Sequence, residues 1–192
     1  MNIRFSLAVV GILCSSILLS CGSDLGGGSS EFNSVFLTSN IGESIVESDI
    51  AKHKAAPDFC TSTDDISIPA AETVDIDVTS NIYPNNSNAG LLSSVEIKSA
   101  TISYSPVTSN IPVIPVQYEP LGVTIAPGAT ATIPITVAKM EIKQSLFNAL
   151  VCTGTIFSYY VTIKIDALET KTGKTASFEK ILTVSFSDWV DK

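Results

Sequence analysis

The chain has 192 residues and a formal charge of −8, with hydrophobic residues at 45% and charged residues at 16%. That balance excludes an intrinsically disordered protein, which needs more charge and less apolar surface. After Arg4 there is no arginine, so an acidic chain of this kind is a poor partner for nucleic acid or other polyanions, whose recognition rests on Lys and Arg.

Met1-Asn2-Ile3-Arg4 is a short basic head, and residues 5–19 are almost wholly apolar or small. The run is shorter than the roughly 20 apolar residues of a membrane-spanning helix, so it reads as a cleaved export signal. It ends in Leu18-Leu19-Ser20-Cys21: an aliphatic residue, a tolerant position, a small residue, then cysteine. On these four residues the N-terminus resembles the bacterial lipoprotein family. The resemblance covers the first twenty-odd positions. It implies cleavage before Cys21, diacylglycerol on the Cys21 thiol and acylation of the new amine, so that two or three chains on one residue give a stable anchor. In that family an Asp after the lipidated cysteine favours inner-membrane retention. Gly22 stands here, which implies the outer membrane. The competing reading is an ordinary secretory signal that contains a cysteine. The Gly/Ser-rich tether over 22–30 weighs against it, because an anchored domain needs such a spacer.

The predicted organisation is therefore a signal over 1–20, a tether over 21–30, a segment over 31–70 packed onto the main domain, and a β-sandwich over 71–192. Loss of Arg4 takes the mature charge to −9. Anionic headgroups should repel such a surface, which leaves the lipid on Cys21 as the contact with the membrane. Cys14 leaves with the signal. Cys60 and Cys152 remain as an even pair in an oxidising compartment and read as one disulfide, the alternative being two separate buried thiols.

Along the chain, Val35-Phe36-Leu37 is a short candidate strand, and Ile45, Val46 and Ile50 sit loosely at helical spacing. From Glu72 the pattern alternates: Val74, Ile76 and Val78 on one face, Asp75, Asp77 and Thr79 on the other, as in a half-buried strand. Residues 81–90 form a loop rich in Asn, Pro and Gly. A strand follows over 95–104, and its apolar phase shifts from Val95/Ile97 to Ala100/Ile102/Tyr104, predicting a β-bulge near Ser99. Pro112 and Pro115 make any strand over 113–118 an edge. Ala126-Pro127-Gly128 is a turn. The strand after it, over 129–137, carries Pro134 and is predicted at an edge or a bulge. Ile142, Leu146, Ala149 and Leu150 predict a short helix over 139–150. A hairpin closes the chain, with strands over 155–168 and 175–187 about the polar loop 169–174.

About seven strands over 72–187 fit an all-β, immunoglobulin-like antiparallel β-sandwich with one short helix between strands. The order of elements resembles bacterial immunoglobulin-like and fibronectin-like modules by pattern alone. The Cys…Trp…Cys spacing of true immunoglobulin domains is missing.

Little in the chain points to chemistry. His53, the sole histidine, lies between Lys52 and Lys54 and reads as a solvated loop residue. Any Ser–His–Asp site would have to use it. Asp64, Asp65, Asp75 and Asp77 supply oxygen ligands of the kind calcium takes, but Asp75 and Asp77 on the outward face of a strand read first as solubilising groups. With one histidine and a single pair of cysteines a metal centre is not expected, nor is a cofactor, since no phosphate-binding loop occurs. Tyr159 reads as core and Tyr160 as an exposed contact. The expected role is structural or protein-binding, without catalysis, at the cell envelope and with an envelope protein as partner. The alternative is a carrier of an apolar or carbohydrate ligand.

Overall fold

The computed structural model describes residues 32–53, 66–86 and 89–189. Ten strands are formed among them: β1 (Val35–Ile41), β2 (Ile45–Asp49), β3 (Lys52–His53), β4 (Ile66–Ser67), β5 (Glu72–Ile82), β6 (Val95–Pro106), β7 (Gln117–Ile125), β8 (Thr130–Ala138), β9 (Phe157–Glu169) and β10 (Thr175–Ser187). One helix, α1 (Met140–Leu150), joins β8 to β9. The chain is thus all-β with one short helix, as expected. A three-stranded sheet, β1-β5-β8, is layered on a five-stranded sheet, β2-β10-β9-β6-β7, and β3 with β4 makes a small separate ribbon.

Period-two patterning builds the layers. Val74, Ile76 and Val78 of β5 and Ile133, Ile135 and Val137 of β8 face Ile97, Ile102, Val161, Ile163 and Ile165 of the larger sheet, and all are buried. Tyr159 lies edge-on to Tyr104 (6.3 Å between centroids) and to Phe186 (5.8 Å), the arrangement that the ring quadrupoles favour. Both phenols are satisfied by carbonyls: Tyr104 Oη donates to Val137 O at 3.0 Å and Tyr159 Oη to Pro112 O at 2.8 Å. Burial pushes the Tyr159 hydroxyl up to about 12. Burial pushes Tyr104 up too, and the nearby Glu119 carboxylate adds to the shift. Both therefore stay neutral donors throughout the physiological range.

The predicted bulge falls between Ile97 and Ser99, where β6 shifts register against both β7 and β9. Across it, β7 carries Gly122, whose φ of +72° a side-chain-bearing residue rarely adopts. β7 and β8 each form one edge of their sheet, and each carries a proline, Pro120 and Pro134. Proline offers no donor to a foreign strand. Glu119 of β7 accepts the Thr136 N–H of β8 at 3.2 Å, tying the two edges together. The strand expected over 113–118 begins instead at Gln117 and runs to Ile125. Pro112 and Pro115 fix φ and remove donors, so the chain before Gln117 cannot enter the ladder.

The segment over 31–70 supplies more than a packed appendage. β1 pairs antiparallel with β5, and β2 pairs parallel with β10, so both sheets draw a strand from it. Ile45, Val46 and Ile50 are not helical: Ile45 and Val46 belong to β2, and Ile50 donates its N–H to Ser187 O. Residues 72–187 hold six of the strands in the two sheets, and β1 and β2 bring the total to eight. In α1, Ile142, Leu146 and Leu150 recur at four-residue spacing and are buried; Ala149, expected beside them, is exposed. Lys143 is buried with them, its ammonium held by Ala70 O at 2.6 Å and Glu72 Oε1 at 2.7 Å. The second Glu72 oxygen accepts the Ser48 hydroxyl at 2.6 Å. This chain of bonds ties α1 to the start of β5 and to β2.

Candidate functional site

Three places concentrate polar or exposed apolar groups. The first lies at the end of the sandwich where β10 finishes. Asp188 Oδ1 is 3.0 Å from His53 Nε2, and Asp188 Oδ2 accepts the Cys152 N–H at 2.7 Å. Asp49 Oδ1 accepts the N–H groups of Ala51 and Trp189, each at 3.2 Å. His53 is therefore not a solvated loop residue: it belongs to β3, and its side chain is only 12% exposed against Asp188. The signal available in sequence was an Asp just past the last strand, but nothing there showed that the ends of β10, β3 and α1 converge. Cys152 has a φ of +60°, a left-handed conformation that non-glycine residues adopt mainly when the surroundings impose it. The Asp188 bond to its N–H is one such constraint. Cys60, Asp64 and Asp65 lie outside the described residues, as does Cys21.

The second place is at the opposite end. Glu169, at the end of β9, is fully buried. Its carboxylate accepts the N–H groups of Asn33 (3.1 Å) and Ser34 (3.0 Å) and the hydroxyls of Ser34 and Thr172. Ser34 Oγ in turn accepts the Ser93 N–H at 3.1 Å, and Ser93 Oγ accepts the Lys171 N–H at 2.9 Å. Burial alone would raise the Glu169 pKa. The four hydrogen bonds to the charged form outweigh it and hold the carboxyl below its ordinary value. The site is a clamp that fastens the entry of β1 to the β9–β10 hairpin.

The third place is the outer face of the five-stranded sheet. Register places Ile45, Thr183, Tyr160 and Ser105 in one cross-strand row, Ile181, Thr162 and Ser103 in the next, and Glu179, Lys164, Thr101 and Tyr118 in a third. Ile45 is 63% exposed, Ile181 63%, Tyr160 53% and Tyr118 65%, in a setting of Ser and Thr hydroxyls. Tyr159 points inward and Tyr160 outward, as their alternation predicts. Sequence reasoning found Tyr160 but missed Ile45, Ile181 and Tyr118, because lateral alignment across strands is a property of register.

Asp75 and Asp77 are on the outer face of the smaller sheet, where Asp77 Oδ1 accepts the Thr132 hydroxyl at 2.6 Å. Among the described residues no group of three or more His, Cys, Asp or Glu side chains is placed to hold a metal ion, and no helix is long and apolar enough to cross a membrane. No protein-family model matches the chain, and no curated protein shows significant similarity to it.

Proposed function

We propose that this protein is a lipid-anchored β-sandwich of the bacterial cell envelope, held at the outer membrane through Cys21, that binds or supports another envelope protein and performs no catalysis. The observation that carries the binding role is the outer face of the larger sheet. Four large apolar or aromatic side chains stand exposed there across three neighbouring rows, among Ser and Thr hydroxyls and the charged pair of positions Glu179 and Lys164. A protein interface needs this mixture: aromatic and aliphatic anchors to desolvate, and short polar groups to pair around them. The lipobox Leu18-Leu19-Ser20-Cys21 and the tether behind it support the anchored setting.

We also read the sandwich as immunoglobulin-like. β1, β5 and β8 take the places of the first, second and fifth strands of that fold. β10, β9, β6 and β7 reproduce the order of its larger sheet. The Cys60–Cys152 disulfide belongs to the same reading. Cys60 and Cys152 are the two cysteines that remain after Cys14 is cleaved away and Cys21 is acylated.

The test is capture by crosslinking in intact envelopes. The wild-type chain is expected to recover one stoichiometric partner. The double variant Tyr160→Glu, Ile181→Lys should lower that recovery about thirtyfold, the effect of losing a central anchor. Both positions are exposed, so thermal stability should move by no more than about 0.5 kcal/mol for each. Equal recovery by the two chains would remove this face from the account.

A further inference from the structure

The clamp at Glu169 fixes where the N-terminal tether leaves the folded body. Eleven positions separate Cys21 from Phe32, a reach of at most about 40 Å even fully extended. Phe32 is buried, and Asn33 and Ser34 are bonded to Glu169. The anchored chain therefore enters the domain at the end that carries the β9–β10 hairpin. His53, Asp188 and α1 are at the other end.

Charge is segregated along the same axis. In a mature chain of charge −9, the connections at the tether end (residues 83–86, 89–94, 126–129 and 170–174) contain no Asp or Glu. Their charged groups are Lys171 and Lys174, both exposed. Lys171 Nζ donates to Gly90 O at 3.2 Å, which places its ammonium beside Leu91, 63% exposed. Of the acids on the adjoining strands, Glu169 is ionised but buried beneath the four donors of the clamp, and Glu96 pairs with Lys98 at 3.0 Å. Asp24 lies in the tether, and Glu31 directly precedes Phe32.

We infer that this end of the sandwich is a docking surface for the anionic headgroups of the bilayer, with Lys171 and Lys174 facing lipid phosphates and Leu91 set at the interface. The inference rests on the reading that Cys21 is lipidated, and it revises the expectation that the lipid alone meets the membrane. A net acidic domain is repelled from an anionic surface only on average. Within a Debye length the local sign decides, and the tether holds that local surface at high effective concentration. The remaining end and the outer face of the larger sheet are then left directed away from the bilayer.

The experiment is lysine footprinting of the native protein reconstituted into vesicles of pure phosphatidylcholine or of phosphatidylcholine with phosphatidylglycerol. Acetylation at each lysine is followed by peptide mass. Lys171 and Lys174 should react about fivefold more slowly on the anionic vesicles than on the neutral ones, while Lys52 and Lys164 keep their rates. Equal rates on the two lipids would overturn the inference, and so would protection of Lys52 instead. The mass of the N-terminal peptide in the same digest reads the acyl groups on Cys21. A failed anchor is thereby told apart from a failed docking surface.

Discussion

Replacing Glu169 by Ala is expected to lower folding stability by about 2–4 kcal/mol, because it leaves the buried N–H and hydroxyl of Ser34 without their acceptor and removes the part-buried bonds from the Asn33 N–H and the Thr172 hydroxyl. Urea denaturation at neutral pH measures it. The Gln variant separates charge from shape. In the wild type the folded-state pKa of Glu169 is depressed, so its contribution is complete above the ordinary value of 4.5. It is lost as pH falls below that value through the lower value of the folded chain. The stability gap between wild type and Glu169→Gln should therefore be widest near neutrality and close in acid. A gap that stays constant from pH 7 to pH 3 would show that the carboxylate's charge plays no part in the clamp.

Reduction of the proposed Cys60–Cys152 disulfide is expected to have the other large effect. The cysteines are 92 positions apart, and closing such a loop in the unfolded chain is worth about 4 kcal/mol on the chain-entropy view. For a domain of this size that corresponds to a fall of roughly 8–16 °C in melting temperature under reducing conditions. The same fall is expected for Cys152→Ser without reductant, and reductant should then add nothing further. Two titratable thiols in the oxidised, denatured mature protein, beyond any at Cys21, would end the pairing.

What could be read in the sequence was whatever a strand writes into its own alternation. β5, β8, β9 and β10 show period two over nine residues or more, and the phase slip in β6 marks its bulge because a one-residue insertion exchanges the faces. β2 was hidden for a physical reason. Its inward positions are Val46 and Ser48, while Ile45 points to solvent, so its polarity runs against the usual pattern. Ser48 can face inward because Glu72 accepts its hydroxyl. β7 was placed too early in the chain: the expected edge strand over 113–118 shares only Gln117 and Tyr118 with it, and Pro120 and Gly122 interrupt the alternation beyond them.

The candidate sites were less legible, since each depends on contacts between distant parts of the chain. Glu169 looks like the first residue of a polar hairpin loop, and nothing local shows that Asn33 and Ser34 arrive from 135 or more positions away. Lys143 sits where a helix surface would put a charge, yet the strand and loop that pack over it supply Glu72 and Ala70 O. Lys180 occupies an inward position of β10 between Phe178 and Leu182. Its burial follows from the alternation of its neighbours and overrides its own polarity.

The measurement that bears most directly on the account is the intact mass of the N-terminal peptide from protein extracted from native envelopes. A chain that begins at Cys21 and carries diacylglycerol on sulfur and an acyl group on nitrogen is the predicted result. A chain that begins at another residue, or a Cys21 of unmodified mass, would contradict it.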